Sequence, residues 1–325
     1  IQEQWDALTS EDNDSTALLN RATQGLYPPG STFKIITTLQ YVRENGNYEQ
    51  YSYDCHGEFT ADDVTISCYK HKSHGVQNLM ESFAHSCNSS YANIGMDLNM
   101  KSFNSLCDSL LFNKELPVSI PYSKSKFAAP AQDDTAQKLM TAIGQGEGTL
   151  VSPMHMALIT SAIANNGVRY QPHLVDSIWD YNHENCVEEI DPVVAGEIKP
   201  TSDEVFQYVE SGMIAASTNN FPTQYSLQNL GFDVAIKTGT PQVDGRVQDS
   251  FFIGYAPAEN PEIAFAGVIE GGEYSKYMIR SIIQAYQQCV KGENVTIDNF
   301  VTTTATTTAA SSASTTTVTT ASQHS

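Results

Sequence analysis

The stretch Arg21-Ala22-Thr23-Gln24-Gly25-Leu26-Tyr27-Pro28-Pro29-Gly30-Ser31-Thr32-Phe33-Lys34 decides how this chain is read. Pro28, Pro29 and Gly30 interrupt any regular element and mark a turn. Beyond them Phe33, Ile35, Ile36, Leu39 and Val42 recur on one helical face, so the turn opens a helix. Ser31 stands where an N-cap or first-turn residue belongs. Lys34 follows three positions later, on the same face. A hydroxyl is a poor nucleophile until a base takes its proton, and a lysine serves as that base when burial and nearby positive charge lower its pKa. Alone, Ser-x-x-Lys is a frequent chance pattern and decides nothing.

Two further motifs lie downstream. Ser86-Cys87-Asn88 falls in a helical pattern running from about Asn78 to Leu98. Its hydroxyl suits a proton relay, and its amide suits orienting a lysine and a substrate carbonyl. Lys237-Thr238-Gly239-Thr240 ends the strand-like run 232–239. Lys237, Thr238 and Thr240 offer a cation and hydroxyls to a substrate carboxylate, and Gly239 lets the backbone approach a ligand closely. The backbone N–H groups of Ser31 and Thr240 are the expected oxyanion hole. The ordered trio Ser-x-x-Lys, Ser-x-Asn, Lys-Thr-Gly is a known signature of active-site-serine enzymes that react with penicillins.

The rest of the chain supplies a frame for these motifs. Helices are expected over 137–143, from Ser152-Pro153 to Asn165-Asn166-Gly167, and over 202–217 and 274–290. Strand-like runs at 232–239, 249–257 and 262–270 are joined by short turn-rich links, which points to an antiparallel sheet. Residues 46–72 read as irregular structure with short strands, and 168–200 as weakly alternating strands or an excursion. Apolar residues make up 40% of 325, enough for a large core, and the net charge is −20. That acidity argues against nucleic acid as a partner and against simple attraction to anionic membrane surfaces. No continuous apolar run reaches the roughly 18 residues that cross a bilayer. Sixteen of residues 301–325 are Thr or Ser, with no Asp, Glu, Lys or Arg among the 25. Such a stretch buries too little apolar surface to fold, so 293–325 is expected to be a disordered tail.

Through roughly residues 15–290 the sequence resembles the transpeptidase domain of class B penicillin-binding proteins. The resemblance extends beyond the trio to LLNRATQGLYPPGSTFK, the His74-Gly75 step, AIGQGEGTLVSPMHMA with IANNG, IKTGTPQ and SFFIGYAP. It implies an α/β domain of the α+β type over 1–292: a central antiparallel sheet flanked by helices, with an all-α sub-domain at roughly 70–165. It further implies that Ser31 is acylated by the D-Ala-D-Ala end of a peptidoglycan stem peptide. Lys34 would be the general base, and Ser86 and Asn88 the second element. Lys237, Thr238, Gly239 and Thr240 would form the substrate-binding strand. Transfer to an amine on a neighbouring stem would make a cross-link, and β-lactam antibiotics would acylate the same serine. No metal or organic cofactor is implied. A membrane glycan polymerase is the expected partner. The expected location is the extracytoplasmic face of the bacterial membrane, reached through an N-terminal anchor absent from this chain. Only 30 residues precede Ser31, so part of the family's sheet is also expected to be missing.

Rival readings attach to specific residues. The Ser-x-x-Lys and Lys-Thr-Gly motifs also suit a class D β-lactamase or a β-lactam sensor, but Ser-x-Asn and the GQG…SP segment suit these less well. A non-catalytic wall scaffold or inactive fragment is the alternative from another class, and the intact trio argues against it. Of six cysteines, Cys55 and Cys68 are the closest pair; a local disulfide and two free thiols are both compatible with that spacing. Cys55, His56, Cys68, His71 and His74 can be written as a zinc set, but their spacing matches no common finger, and a loop with solvated histidines is the expectation.

Overall fold

The computed structural model describes residues 2–10, 16–199, 204–242, 245, 247–272, 274–293, 302–306 and 317–321. It divides into two compact units, Ile1–Lys276 and Tyr277–Ser325. The helices are α1 Gln2–Thr9, α2 Lys34–Glu44, α3 Leu79–Ala84, α4 Asn88–Asp97, α5 Met100–Ser109, α6 Thr135–Ala142, α7 Pro153–Ala164, α8 Glu204–Asn219 and α9 Ser275–Cys289. The first unit's strands are β1 Tyr53–Cys55, β2 Glu58–Ala61, β3 Val64–Ser67, β4 Gly75–Gln77, β5 Val168–Tyr170, β6 Ser177–Trp179, β7 Cys186–Glu189, β8 Val194–Glu197, β9 Ala235–Gly239, β10 Ser250–Ala256 and β11 Ile263–Ile269. In the second unit α9 is the one helix among the described residues. Most of the tail expected to be disordered lies outside the described residues. Within it, the backbone of Thr302–Thr306 pairs antiparallel with that of Thr317–Ala321.

The expected antiparallel sheet is present, with strand order β11-β10-β9. Its register sets Lys237 opposite Ile253 and Gly239 opposite Phe251. Every residue of β10 is buried, as its unbroken apolar run demands of a central strand. Helix α7 lies along β10 and β11; α8 lies along β9 and reaches α2 and α3. Ser152 caps α7 by accepting from the His155 N–H, with Pro153 at the first helical position. Helices α3–α6 fall within the span 70–165 assigned to a helical sub-domain, whereas α7 at its end lies on the sheet. The short strands pair as β1-β4, β2-β3, β5-β8 and β6-β7, all antiparallel.

The deciding stretch folds as a pivot. Gly30 takes a positive φ of 53° and donates its N–H to the Gly144 carbonyl at 3.0 Å. A Cβ there would lie 3.0 Å from the Pro241 nitrogen, so only glycine fits this packed left-handed corner. Residues Gly30–Phe33 then form a 3-10 turn that runs straight into α2. Ser31 is thus a first-turn residue and not the cap, a place held by Pro29. From Lys34 to Val42 α2 is buried on all sides, which makes it the core helix of the unit. Beside Ser31, Phe33 is wholly buried, with its ring centroid 5.9 Å from Phe103, 6.0 Å from Phe112 and 5.9 Å from Phe127. Phe33→Ala would leave a void among three aromatic rings. It is expected to cost about 3–5 kcal/mol in a urea-unfolding experiment.

One expectation is corrected. The helix predicted from Asn78 to Leu98 is two helices, broken at 85–87. Asn78 and Glu81 close a capping box on α3, while the Cys87 side chain caps α4 by accepting from the Ser90 N–H. Short polar side chains offer the backbone partners outside the helical ladder, and here they win. Ser86 sits in the break with φ of 56°, a conformation that costs a non-glycine residue about 1–3 kcal/mol and persists where its surroundings hold it. Among the described residues no helix is long and apolar enough to cross a membrane.

Candidate active site

The three motifs meet in one place. Lys34, from the first turn of α2, reaches across to the α3–α4 break. Its Nζ lies 2.8 Å from the Ser86 carbonyl oxygen, 2.8 Å from Asn88 Oδ1 and 3.4 Å from Ser86 Oγ. Lys237, from β9, comes in from the sheet, with Nζ 2.8 Å from the same Ser86 Oγ and 2.9 Å from the Thr238 carbonyl. The strained turn at Ser86 therefore has a purpose in the geometry. It aims both the carbonyl and the hydroxyl of one residue at Lys34. Asn88 is held in turn by its Nδ2, which donates to the Ser67 carbonyl at 3.0 Å.

Both lysines are buried, and among the described residues no carboxylate is hydrogen-bonded to either. Burial pulls the Lys34 amine down to about 8, with Cys87 and Cys68 opposing that shift. Lys237 is held well below its ordinary value, by burial first and then by the charge of Lys34. Two amines that share one oxygen do not both carry a proton cheaply. With Lys237 donating to Ser86 Oγ, the Ser86 hydroxyl proton is free to point at Lys34 as a free amine, which forms a relay. Aromatic faces stand where a carboxylate would otherwise be needed: Lys34 Nζ is 5.1 Å from the Tyr91 ring centroid, and Lys237 Nζ is 5.6 Å from that of Phe83.

Ser31 is half-buried, three residues before Lys34 in the 3-10 turn that runs into α2. The end of β9 closes on it: a Cβ on Gly239 would lie 3.1 Å from the Ser31 nitrogen and 3.0 Å from the Pro29 carbonyl oxygen. Gly239 is therefore the residue that lets the strand run against the serine's turn. Thr238 is half-buried and Thr240 exposed just beyond it, on the open side. All eight residues singled out from the sequence thus come from elements that converge on the start of α2.

Other contributors carried no local signal. The Tyr91 hydroxyl is hydrogen-bonded to that of Thr38 one turn along α2, which fixes the ring beside Lys34. Glu270, just past β11, accepts from Arg21 Nε at 3.0 Å and from the Tyr27 hydroxyl at 2.8 Å. That clamp fixes the approach to Ser31 to the far edge of the sheet. The candidate zinc histidines separate. His56 faces Asp54 at 3.3 Å and His71 faces Glu58 at 3.7 Å, both on the surface. Cys55, Cys68 and His74 instead turn inward, together with Cys87. All six cysteines are free thiols, so the Cys55–Cys68 disulfide does not form in this structure.

Residues 4–286 match the family model of the penicillin binding protein transpeptidase domain. A curated relative, the peptidoglycan D,D-transpeptidase PbpA of Mycolicibacterium smegmatis, is 27% identical over 282 residues, covering 82% of this chain and 54% of the relative. The chain spans about half the length of that relative. Among solved structures, the D,D-transpeptidase domain of a peptidoglycan glycosyltransferase from Eggerthella lenta superposes with a TM-score of 0.76 at 26% identity, covering 90% of this chain and 71% of that one. The imipenem acyl-enzyme complex of penicillin-binding protein A from M. tuberculosis shares the fold, with a TM-score of 0.75 at 24% identity over 88% of this chain and 65% of that one. The chain belongs to the transpeptidase domain family of the penicillin-binding proteins, in the class B branch that its motifs resemble.

Proposed function

We propose that this chain carries the catalytic centre of a serine D,D-transpeptidase that cross-links peptidoglycan stem peptides. The observation that carries the reading is the convergence of Lys34 and Lys237 on the single hydroxyl of Ser86, beside the turn that holds Ser31. Ser31 Oγ attacks the carbonyl carbon of the penultimate D-Ala, and Lys34 takes its proton. The oxyanion faces the N–H groups of Ser31 and Thr240. Collapse breaks the peptide C–N bond, and the proton passes from Lys34 through Ser86 to the departing D-Ala amine. An amine from a neighbouring stem then attacks the ester carbon. Its surplus proton returns along the same route to Ser31, which is released as a free hydroxyl. Lys237, Thr238 and Thr240 hold the terminal carboxylate through acylation, until it departs with the released D-Ala. With a β-lactam the amine released by C–N cleavage stays tethered to the acyl group through the rest of the opened ring, so the ester persists. The same reading places the domain at the extracytoplasmic face of the membrane, beside a membrane glycan polymerase.

Incubation with a fluorescent penicillin, followed by peptide mapping, tests the reading. The expected result is one stable adduct on the peptide that contains Ser31. A label elsewhere, or rapid turnover to free penicilloate, would overturn it. A second variant tests the relay. Ser86→Ala removes the oxygen that both amines share, and the second-order acylation rate constant is expected to fall by about 10²–10³-fold, the range of a lost proton-transfer group.

A further inference from the structure

The excursion expected over 168–200 is a bent β-ribbon. Ile198, which is buried, fixes its base by donating its N–H to the Gly167 carbonyl at 2.8 Å. The β5-β8 pair runs on into the β6-β7 pair. Gln171 N–H on the Val193 carbonyl at 2.7 Å and Ile190 N–H on the Asp176 carbonyl at 2.9 Å join the two. Asp180 N–H closes the tip on the Asn185 carbonyl at 3.0 Å. No residue from Tyr170 to Glu197 is buried. Successive residues of a strand face opposite sides of the ribbon. Ile178 and Trp179 are neighbours in β6, 44% and 47% exposed, so neither side is covered.

The side chains do not suit a ribbon that meets only water. Leu174 is 79% exposed, Tyr181 93% and Val187 68%. Single exposed apolar residues are ordinary on a surface, but a run of them on one element marks an interaction site. A two-stranded hairpin is also marginal in water by itself and gains stability from whatever packs on it. Charge narrows the choice of partner. Between Tyr170 and Glu197 there are seven Asp and Glu and no Lys or Arg. The whole chain carries 17 Lys and Arg against 37 Asp and Glu, so their complete absence here is a property of the ribbon and not of the overall acidity. Among the described residues none of the seven carboxylates forms a salt bridge with a Lys or Arg. A second copy of the chain would set seven carboxylates against seven, and an anionic membrane would repel them. A cationic partner with apolar side chains is complementary on both counts. Trp179 and Tyr181 add aromatic faces that attract Lys and Arg. Val187 stands unpaired between Cys186, opposite Trp179, and Glu188, opposite Ile178. Such a bulge blunts an edge against simple strand addition, so side chains carry the recognition.

We propose that the 168–198 ribbon is a docking surface for a segment of a partner protein that combines Lys or Arg with apolar side chains. The apolar residues supply contact area on both faces, and the unpaired carboxylates select the sign of charge.

Trp179 is one of two tryptophans, so Trp5→Phe makes it the sole fluorescent reporter of its kind. The probe is an acetylated, amidated peptide of three Leu-Lys-Lys-Leu repeats, titrated into the full Trp5→Phe chain. The expected result is saturable binding with a blue shift of Trp179 emission, weakened by added salt. Peptides with Glu in place of Lys, or Ser in place of Leu, should cause no shift. Glu188→Lys with Glu189→Lys, and separately Ile178→Ser with Val187→Ser, should each weaken binding by about tenfold or more. All four positions are exposed, so the fold should hold. Should either pair loosen the ribbon, the Glu-for-Lys peptide and the salt series on the Trp5→Phe chain still decide. No penicillin enters the experiment, so its failure is distinct from failure of the proposed reaction. Equal binding of the Lys and Glu peptides, or binding left unchanged in both ribbon variants, overturns the proposal. So does a shift produced by phosphatidylcholine vesicles and not by the peptide, which would make the partner a lipid surface. A dimer of the chain that Ile178→Ser with Val187→Ser dissolves overturns it as well, since the partner would then be a second copy.

Discussion

A Ser31→Ala chain is expected to take up no penicillin, at any concentration or time at which the wild type is fully labelled. The effect is all-or-none because the bond being measured is to Ser31 Oγ itself. The fold gives no reason for the loss to come from unfolding. The turn around Ser31 is held by Gly30 N–H on the Gly144 carbonyl at 3.0 Å and by the Thr32 hydroxyl on the Pro29 carbonyl at 2.7 Å, not by the Ser31 side chain. Removing one half-buried hydroxyl should leave stability within about 0.5 kcal/mol of wild type. Intact-mass measurement after penicillin treatment, with a thermal melt of the same sample, checks both halves. A variant that still gains the mass of one penicillin would show that another nucleophile does the chemistry.

What was legible in the sequence was whatever local order encodes. Pro28-Pro29-Gly30 before an apolar helical face located the turn and α2. Ser152-Pro153 located the start of α7, and three apolar runs with short links located the sheet in its observed pairing. Each of these signals lies within a few residues of what it specifies. The break at Ser86 was not legible, because the stretch Asn78–Leu98 keeps helical spacing through it; beside the local caps, the break is held by partners far along the chain. Lys34 takes the Ser86 carbonyl from 52 residues away, and Lys237 takes its hydroxyl from 151 residues away. The clamp of Glu270 on Arg21 and Tyr27 likewise joins segments separated by 249 and 243 residues. Cys87 shows the same limit. As a letter between Ser86 and Asn88 it looks like a spacer, and only the return of β1 and β3 to the start of α4 sets its sulfur 3.6 Å from that of Cys68.

Lys34 sets the pH dependence, and its burial fixes the sign. An amine must be free of its proton to accept one from Ser31, so acylation requires the neutral form. Burial pulls the amine down to about 8, from the ordinary 10.5 of a lysine. At pH 7 about one-tenth of the chains hold the free base, and at pH 6 about one-hundredth. The second-order rate constant for penicillin acylation is therefore expected to rise about tenfold per pH unit below 8 and to level off above about 9. An unshifted lysine would still be climbing there. The observed midpoint belongs to the Lys34–Lys237 pair, since either amine's proton raises the cost of the other's. Lys34→Met removes the base while keeping an unbranched chain of similar length in the core. It is expected to slow acylation by about 10²–10⁴-fold and to abolish the rise with pH. Lys34→Arg should be as slow, because a guanidinium holds its proton throughout this range. Stopped-flow acylation from pH 6 to 10 in all three chains reads the result. If Lys34→Met keeps the wild-type profile, the base lies elsewhere, with Lys237 the next amine within reach of the shared Ser86 hydroxyl.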